Sequence, residues 1–293
     1  MIPELISSFA MKKIIDTHIH VWNFDKAAYA WLDGNTSILN RTYHIEEIET
    51  ERNAAGVTEG VLVQAANNIE DTSWMLEVAA NTDWIKGVVG WLPLMDTAAT
   101  EWALEEKYSR EKYFKGVRHL IHDEADPEWL LQPAVIDSLK ILATKNITYD
   151  VVGVLPQHIE TVLKVAEQIP DLKMVFDHLN QPPMKTNEKF GAWGDLMKIA
   201  SQHKNFYAKI SGLGTATADP GNWGVEDIKP YVEFVLENFG TDRCFCGGDW
   251  PVSLIAGSYT KTWTTYQSVI NELLNEEDSE KIFYNNAQQF YNL

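Results

Sequence analysis

An apolar run in this chain ends in a His-x-His, Ile14-Ile15-Asp16-Thr17-His18-Ile19-His20. Alternate residues of a strand share a face, so His18 and His20 point the same way, with Asp16 on that face one step earlier. Two imidazoles on one rigid face suit a single divalent cation. Taken alone, the pair reads equally as two solvated loop histidines. The rest of the sequence favours the metal. His178 ends Lys173-Met174-Val175-Phe176-Asp177-His178, where it is either a third ligand or a core or capping histidine. Asp249 closes Cys244-Phe245-Cys246-Gly247-Gly248-Asp249 just before Trp250-Pro251. It is either the general base for a metal-side water or a turn cap. The two glycines let backbone or ligand come close.

Five of the eight histidines, His18, His20, His119, His122 and His178, fall in or at the ends of expected strands. His44, His158 and His203 sit on or beside expected helices and read as surface or packing residues. Arg118 lies inside the apolar run Gly116-Val117-Arg118-His119-Leu120-Ile121-His122 and shares its parity with His122. A charge there needs a partner or a use: it bonds a polar substrate or it braces carboxylates. Lys209 and Asp150 pose the same question on the seventh and fifth strands, and Gln64 ends the second with a neutral amide. Trp31, on the first long loop, is placed to cover a pocket. No lysine ends the fourth strand to bridge two metals, since Lys115 precedes it, and no histidine ends the fifth. One metal or none is expected, not a binuclear pair.

The elements that must position these residues alternate. Strands are expected at 14–20, 60–65, 87–92, 116–122, 148–152, 173–178, 206–211 and 243–249. Helical patterns fill 45–55, 71–80, 97–108, 132–145, 156–168, 190–203, 225–239, 261–274 and 277–290. Alternation implies parallel pairing with right-handed crossovers. Eight units in 293 residues give an α/β fold, a single-domain (β/α)8 TIM barrel over 11–293. A doubly wound sheet is second, because neither phosphate-loop motif follows the first strand. The long irregular stretches 22–43, 123–131, 180–189 and 212–224 all follow strands, which in a barrel puts them over the catalytic face.

A net charge of −18 argues against nucleic acid and anionic membranes, and mildly favours a neutral substrate. Cys244 and Cys246, the two cysteines, read as buried free thiols of a reducing, cytoplasmic compartment. No unbroken apolar run is long enough to cross a membrane. Residues 1–10 read as a loose leader, with Met11 the functional start. A homo-oligomer is compatible with all of this.

Together these motifs resemble the amidohydrolase superfamily, through Ile15-Asp16-Thr17-His18-Ile19-His20, Asp177-His178 and Gly248-Asp249-Trp250-Pro251. More narrowly they are similar to its "amidohydrolase 2" branch of sugar-lactone hydrolases, which open L-fucono- and L-rhamnono-lactones. Tyr29-Ala30-Trp31-Leu32, Val61-Leu62-Val63-Gln64-Ala65, Gly87-Val88-Val89-Gly90-Trp91, Gly116-Val117-Arg118-His119 with Asp123-Glu124, Phe206 to Leu213, and Asn285-Asn286-Ala287 extend the likeness. The resemblance implies a barrel, hydrolysis of a lactone, and catalytic roles for His18, His20, His178 and Asp249. Where the family continues Thr-Glu after strand 7, this chain reads Gly214-Thr215-Ala216-Thr217, so the sugar is not carried over.

The resulting expectation is a hydrolase opening a neutral sugar-acid lactone to the aldonic acid. Asp249 takes a proton from water. His18, His20, His178 and Asp249 hold one divalent cation, most simply Zn2+, or the imidazoles polarise the carbonyl without metal. Arg118, His122, Lys209, Gln64, Trp31 and Asp150 are the substrate-binding candidates. The rivals are a decarboxylase or aromatic-pathway dicarboxylate lactonase of the same branch, which would want several cations over the site, and a catalytically silent sugar-binding barrel.

Overall fold

In the computed structural model, which describes residues 13–186 and 188–293, eight parallel strands pair in sequence order. They are β1 (Ile15–Ile19), β2 (Glu59–Val63), β3 (Ile85–Gly90), β4 (Phe114–His119), β5 (Thr148–Val151), β6 (Met174–Phe176), β7 (Phe206–Ile210) and β8 (Cys244–Cys246). The expected leader at 1–10 and start at Met11 lie outside the described residues. The ring closes where Ile19 bridges Trp250 in parallel. His20 N–H donates to the Trp250 carbonyl and Asp249 N–H to the His18 carbonyl, both at 2.7 Å. The closing seam is thus built from the residues that carry the candidate chemistry. Only glycine permits this approach: a Cβ on Gly247 would lie 2.6 Å from that of His18, and one on Gly248 would lie 2.4 Å from Asp16 Oδ2.

Most helices begin and end where local chemistry directs. Asn68 accepts from Asp71 N–H at the start of helix Ile69–Ala80. Pro133 and Pro156 open their helices at the position where no N–H is needed. Gly56 ends helix Glu49–Ala55 in the left-handed region. The main core lies between helices and strands. A second apolar cluster fills the lower barrel interior, where Ile15, Val61, Val89, Val175 and Phe245 meet Phe290 and Tyr291 of the C-terminal segment. Both cysteines are buried and free. Among the described residues, no helix is long and apolar enough to cross a membrane.

Two expectations about strands are corrected. The β1–β2 register shifts between Asp16 and Ile19, so Asp16 does not share the face of His18. It is fully buried on the helix side and accepts from His18 N–H, Gly248 N–H, the Tyr259 hydroxyl and the Trp263 indole. The fourth strand stops at His119, and 121–123 form a 3-10 turn. Strand parity therefore does not relate Arg118 to His122.

Candidate active site

At the carboxyl ends of the strands lies a cavity of about 230 Å³. Its wall includes His20, His178 and Asp249, with Arg118, Trp31 and His122 around them. Asp249 Oδ1 stands 3.5 Å from His20 Nε2 and 3.9 Å from Nε2 of both His18 and His178. The His18 ring sits 4.8 Å from that of His20 and 4.5 Å from that of His178, centroid to centroid. Three imidazoles from β1 and the end of β6 thus converge on one carboxylate beyond β8.

The backbone carries the cost of this convergence. His178, Leu179, Asn180 and Gln181 all have φ near +50°, and Asp249 has φ +56°. A left-handed run in non-glycine residues is disfavoured unless the surroundings fix it. Here the His178 N–H and Nδ1 both meet the Ser211 hydroxyl, at 3.2 and 2.9 Å. The turn lifts His178 out of the strand and over the cavity.

Each imidazole is also held from behind. His20 Nδ1 donates to the Val63 carbonyl at 2.7 Å, which turns Nε2 toward Asp249. His18 Nδ1 lies 3.4 Å from Asp177 Oδ1 and 3.3 Å from Lys209 Nζ, while Arg118 Nη1 approaches its Nε2 at 3.3 Å. Burial lowers His18 well below the usual histidine range, although Asp177 opposes it. Burial likewise lowers His178 against the pull of Asp249 and Asp177. Both rings are neutral near pH 7 and available as ligands or acceptors.

Beneath them runs a buried charged layer. Lys209 Nζ lies 2.6 Å from Asp150 Oδ2 and 2.7 Å from Asp177 Oδ1. Arg118 Nη1 lies 3.1 Å from Asp177 Oδ2. Arg118 and Gln64 bond each other's carbonyls. The Tyr291 hydroxyl donates to Asp150 Oδ2 at 2.7 Å. One ammonium between two carboxylates favours ionising the one that also has a guanidinium. Burial alone would raise Asp177, yet Lys209, His18 and Arg118 hold it well below the carboxylate range. Burial raises Asp150 to about 6 despite Lys209.

The site residues expected from sequence thus divide. His20, His178, Asp249, Arg118, Trp31 and His122 line the cavity, with His18 packed behind it. Lys209, Asp150 and Gln64, expected as substrate contacts, are fully buried and bonded within the layer below, outside the cavity wall. Arg118 does both things considered for it, bracing Asp177 while lining the cavity. His119 turns aside: it stacks on Trp129 with centroids 4.0 Å apart and meets Glu124 at 2.7 Å.

Sequence reasoning gave no role to Asp177, Ser211 or Tyr291. Asp177 had a signal, a charge inside an apolar run. Tyr291 had none, because its partner Asp150 is 141 residues away.

For a cation, His18, His20 and Asp249 each offer one ligand atom, all within 4.8 Å of one another and all buried. Two imidazole nitrogens and a carboxylate oxygen in that spacing fit one divalent ion. His178, expected as a fourth ligand, stands beside this group and not within it.

A family model described as amidohydrolase matches residues 15–293, and the chain belongs to that family. It is 30% identical over 282 residues to an L-fucono-1,5-lactonase of Burkholderia ambifaria, covering 95% of each chain. It is 25% identical over 335 residues to an L-rhamnono-gamma-lactonase of the yeast Scheffersomyces stipitis, covering 96% of this chain and 99% of that one. A crystal structure of a Burkholderia multivorans amidohydrolase with bound zinc matches with a TM-score of 0.87 at 24% identity, over 96% of this chain and 99% of that one. At that identity the likeness establishes the shared barrel.

Proposed function

We propose that this chain hydrolyses a neutral sugar-acid lactone, of the L-fucono- or L-rhamnono-lactone kind, to the aldonic acid. The observation that carries the reading is Asp249 Oδ1 at the focus of three imidazoles on the wall of a sugar-sized cavity. Two relatives named as sugar lactonases, aligned over nearly the whole chain, support it. The charge of the wall supports it too. Arg118 is the one Lys or Arg among the described lining residues, beside Asp123 and Asp249, so a dicarboxylate would find a single counter-charge.

In the reaction, Asp249 accepts a proton from a water held among His20, His178 and itself. The hydroxide adds to the lactone carbonyl. The Arg118 guanidinium, set by Asp177, faces the developing oxyanion. The tetrahedral centre collapses by breaking the bond to the ring oxygen, and the proton on Asp249 passes to that leaving oxygen. The products are the aldonic acid and a restored carboxylate. His18, His20 and Asp249 would hold a divalent cation, with His178 alongside, and such an ion would supply carbonyl polarisation and a more acidic water. Zn2+ suits this donor set.

A lactone panel read by proton release, run with metal analysis of the purified protein and after chelation, tests the reading. Neutral five- and six-membered sugar lactones should be turned over well ahead of 2-pyrone-4,6-dicarboxylate. Preference for the dicarboxylate would overturn the proposal. Full activity in a metal-free preparation would leave the imidazoles and Arg118 as the groups that polarise the carbonyl.

A further inference from the structure

The strands run around the ring in order from β1 to β8, so the ends of β4 and β8 lie on opposite sides of the barrel mouth. Asp249 follows β8, while His122 and Asp123 follow β4. All three line the catalytic cavity. In a cavity of about 230 Å³, a sugar lactone with its carbonyl at Asp249 has its far end beside the β4 loop.

Asp123 is fixed in that place. It belongs to the 3-10 turn Ile121–Asp123, and its N–H donates to the Leu120 carbonyl at 3.1 Å. Just before the turn, Leu120 N–H donates to Asn67 Oδ1 at 2.8 Å. Just after it, Glu124 Oε1 meets His119 Nε2 at 2.7 Å. His119 is held in turn by the Trp91 indole, which donates to its Nδ1 at 3.1 Å, and by the Trp129 ring stacked on it. The His119–Glu124 pair, which stands off the cavity wall, thereby acquires a use: it fastens the turn that carries Asp123.

Between these anchors the Asp123 side chain stays open, 48% exposed. Its one ion-pair partner among the described residues is His122, Nε2 to Oδ1 3.6 Å. Burial lowers His122 from the ordinary histidine value against the pull of Asp123, so near pH 7 it brings no cation to the wall. Arg118 lies deeper, 3% exposed, and is already paired with Asp177. A carboxylate held without a counter-charge at the far end of the cavity accepts hydroxyls and repels anions.

We propose that Asp123 is a specificity-determining residue of this site: it accepts a hydroxyl at the end of the lactone remote from the carbonyl and turns away lactones that carry a carboxylate there. The inference rests on the lactonase reading and narrows its substrate class to aldonic as against aldaric lactones. The bond broken is still the lactone ester.

The test compares L-galactono-1,4-lactone with galactaro-1,4-lactone, and D-glucono- with D-glucaro-1,4-lactone. The members of each pair share a ring and differ in a terminal hydroxymethyl or carboxylate. Rates are read in the wild type, Asp123→Asn and Asp33→Asn. Asp123→Asn is nearly isosteric and removes the charge. Asp33→Asn removes the same charge from an exposed position of the β1 loop, off the cavity wall. Near-ultraviolet circular dichroism confirms folding of each.

In the wild type, kcat/KM should favour the neutral member of at least one pair by about tenfold or more, and Asp123→Asn should cut that ratio by about fivefold or more, the effect of one charge pair near contact in watery surroundings. The neutral lactone should lose mainly in KM. Asp33→Asn should leave the ratio within about twofold, because an exposed charge off the wall is screened. Added NaCl should shrink the wild-type ratio toward that of Asp123→Asn. A wild-type ratio near one, equal losses on both members in Asp123→Asn, or an equal drop of the ratio in Asp33→Asn would overturn the filter.

These failures are distinct from that of the lactonase reading. Turnover of neutral lactones with a ratio indifferent to Asp123→Asn sinks the filter and leaves the lactonase standing. If no lactone is turned over, the lactonase reading falls, and calorimetric binding of the same lactones to the same three proteins judges Asp123 by the same ratio. Absence of binding as well as turnover would overturn both.

Discussion

The upper and lower halves of the barrel interior are built from the same strands and obey opposite rules. Below, Ile15, Val61, Val89, Val175 and Phe245 pack on Phe290 and Tyr291 with nothing charged among them. Above, Asp150, Asp177, Lys209 and Arg118 are as deeply buried, at 0 to 3% exposure, and every one is paired. A barrel interior needs only to be filled, and the lower half shows that apolar side chains fill it here. Buried ion pairs seldom stabilise more than apolar replacements would. The upper layer is therefore explained by what it holds in place, which is His18 through Asp177 and Lys209, and the Arg118 head at the cavity wall. The two halves meet at Tyr291, whose hydroxyl donates to Asp150 and whose ring lies under the Lys209 ammonium, 5.6 Å from its centroid.

That contrast can be broken from the top, from within the charged layer, from the floor and at the joint. The largest effect should come at the top. Asp249→Asn keeps the shape and loses the proton acceptor, so kcat should fall roughly 10²–10⁴-fold with far less change in substrate binding. A folded Asn variant retaining a tenth of wild-type turnover would make Asp249 a structural cap.

Within the layer, Lys209→Met leaves Asp150 and Asp177 buried around an apolar stem. The expected loss is ~3–5 kcal/mol of stability in urea unfolding. Activity of the folded fraction should fall as well, since His18 loses its support. A variant as stable as the wild type would show that the layer is not held by this ammonium.

On the floor, Phe290→Ala should cost a comparable ~3–5 kcal/mol through the cavity it leaves. Here the two halves should part company, because kcat of the folded fraction is expected to stay within twofold. Activity falling in step with stability would mean that the floor positions the site after all.

The joint should give the smallest effect. Tyr291→Phe removes a donor from a buried carboxylate, worth about 1–3 kcal/mol. Burial holds Asp150 at about 6 in the fold against an ordinary 3.8, so the native state binds this proton more tightly than the unfolded chain does. Its contribution favours folding in acid and is lost as pH rises through about 6. Without the Tyr291 hydroxyl, Asp150 rises further, so the variant should be hurt more at about pH 8 than at about pH 5. Urea midpoints at the two pH values decide it, and equal losses would place the bond outside the titration of Asp150.

Local pattern was enough for the architecture. Apolar runs at barrel spacing set all eight strands, and caps such as Pro156 and Gly56 stand where propensity puts them. Strand ends were the weak point. The expected sixth and eighth strands ran to 178 and 249, while the observed ones stop at Phe176 and Cys246. Beyond those points the chain leaves the ladder in left-handed turns, and it does so to aim His178 and Asp249.

What the sequence determined by itself was the inventory: which imidazoles and which carboxylate a parallel barrel would bring to one end. Residue type and period are local properties, and they survive without the fold. What the tertiary structure decided was allocation. Asp16 left the metal face because the β1–β2 register slips beside it. Lys209, Asp150 and Gln64 became supports because partners from other strands reached them first. Arg118 kept one edge in the cavity because Asp177 took the other. Whether a buried charge meets substrate or another side chain depends on distances between strands far apart in the chain, and no local pattern records them.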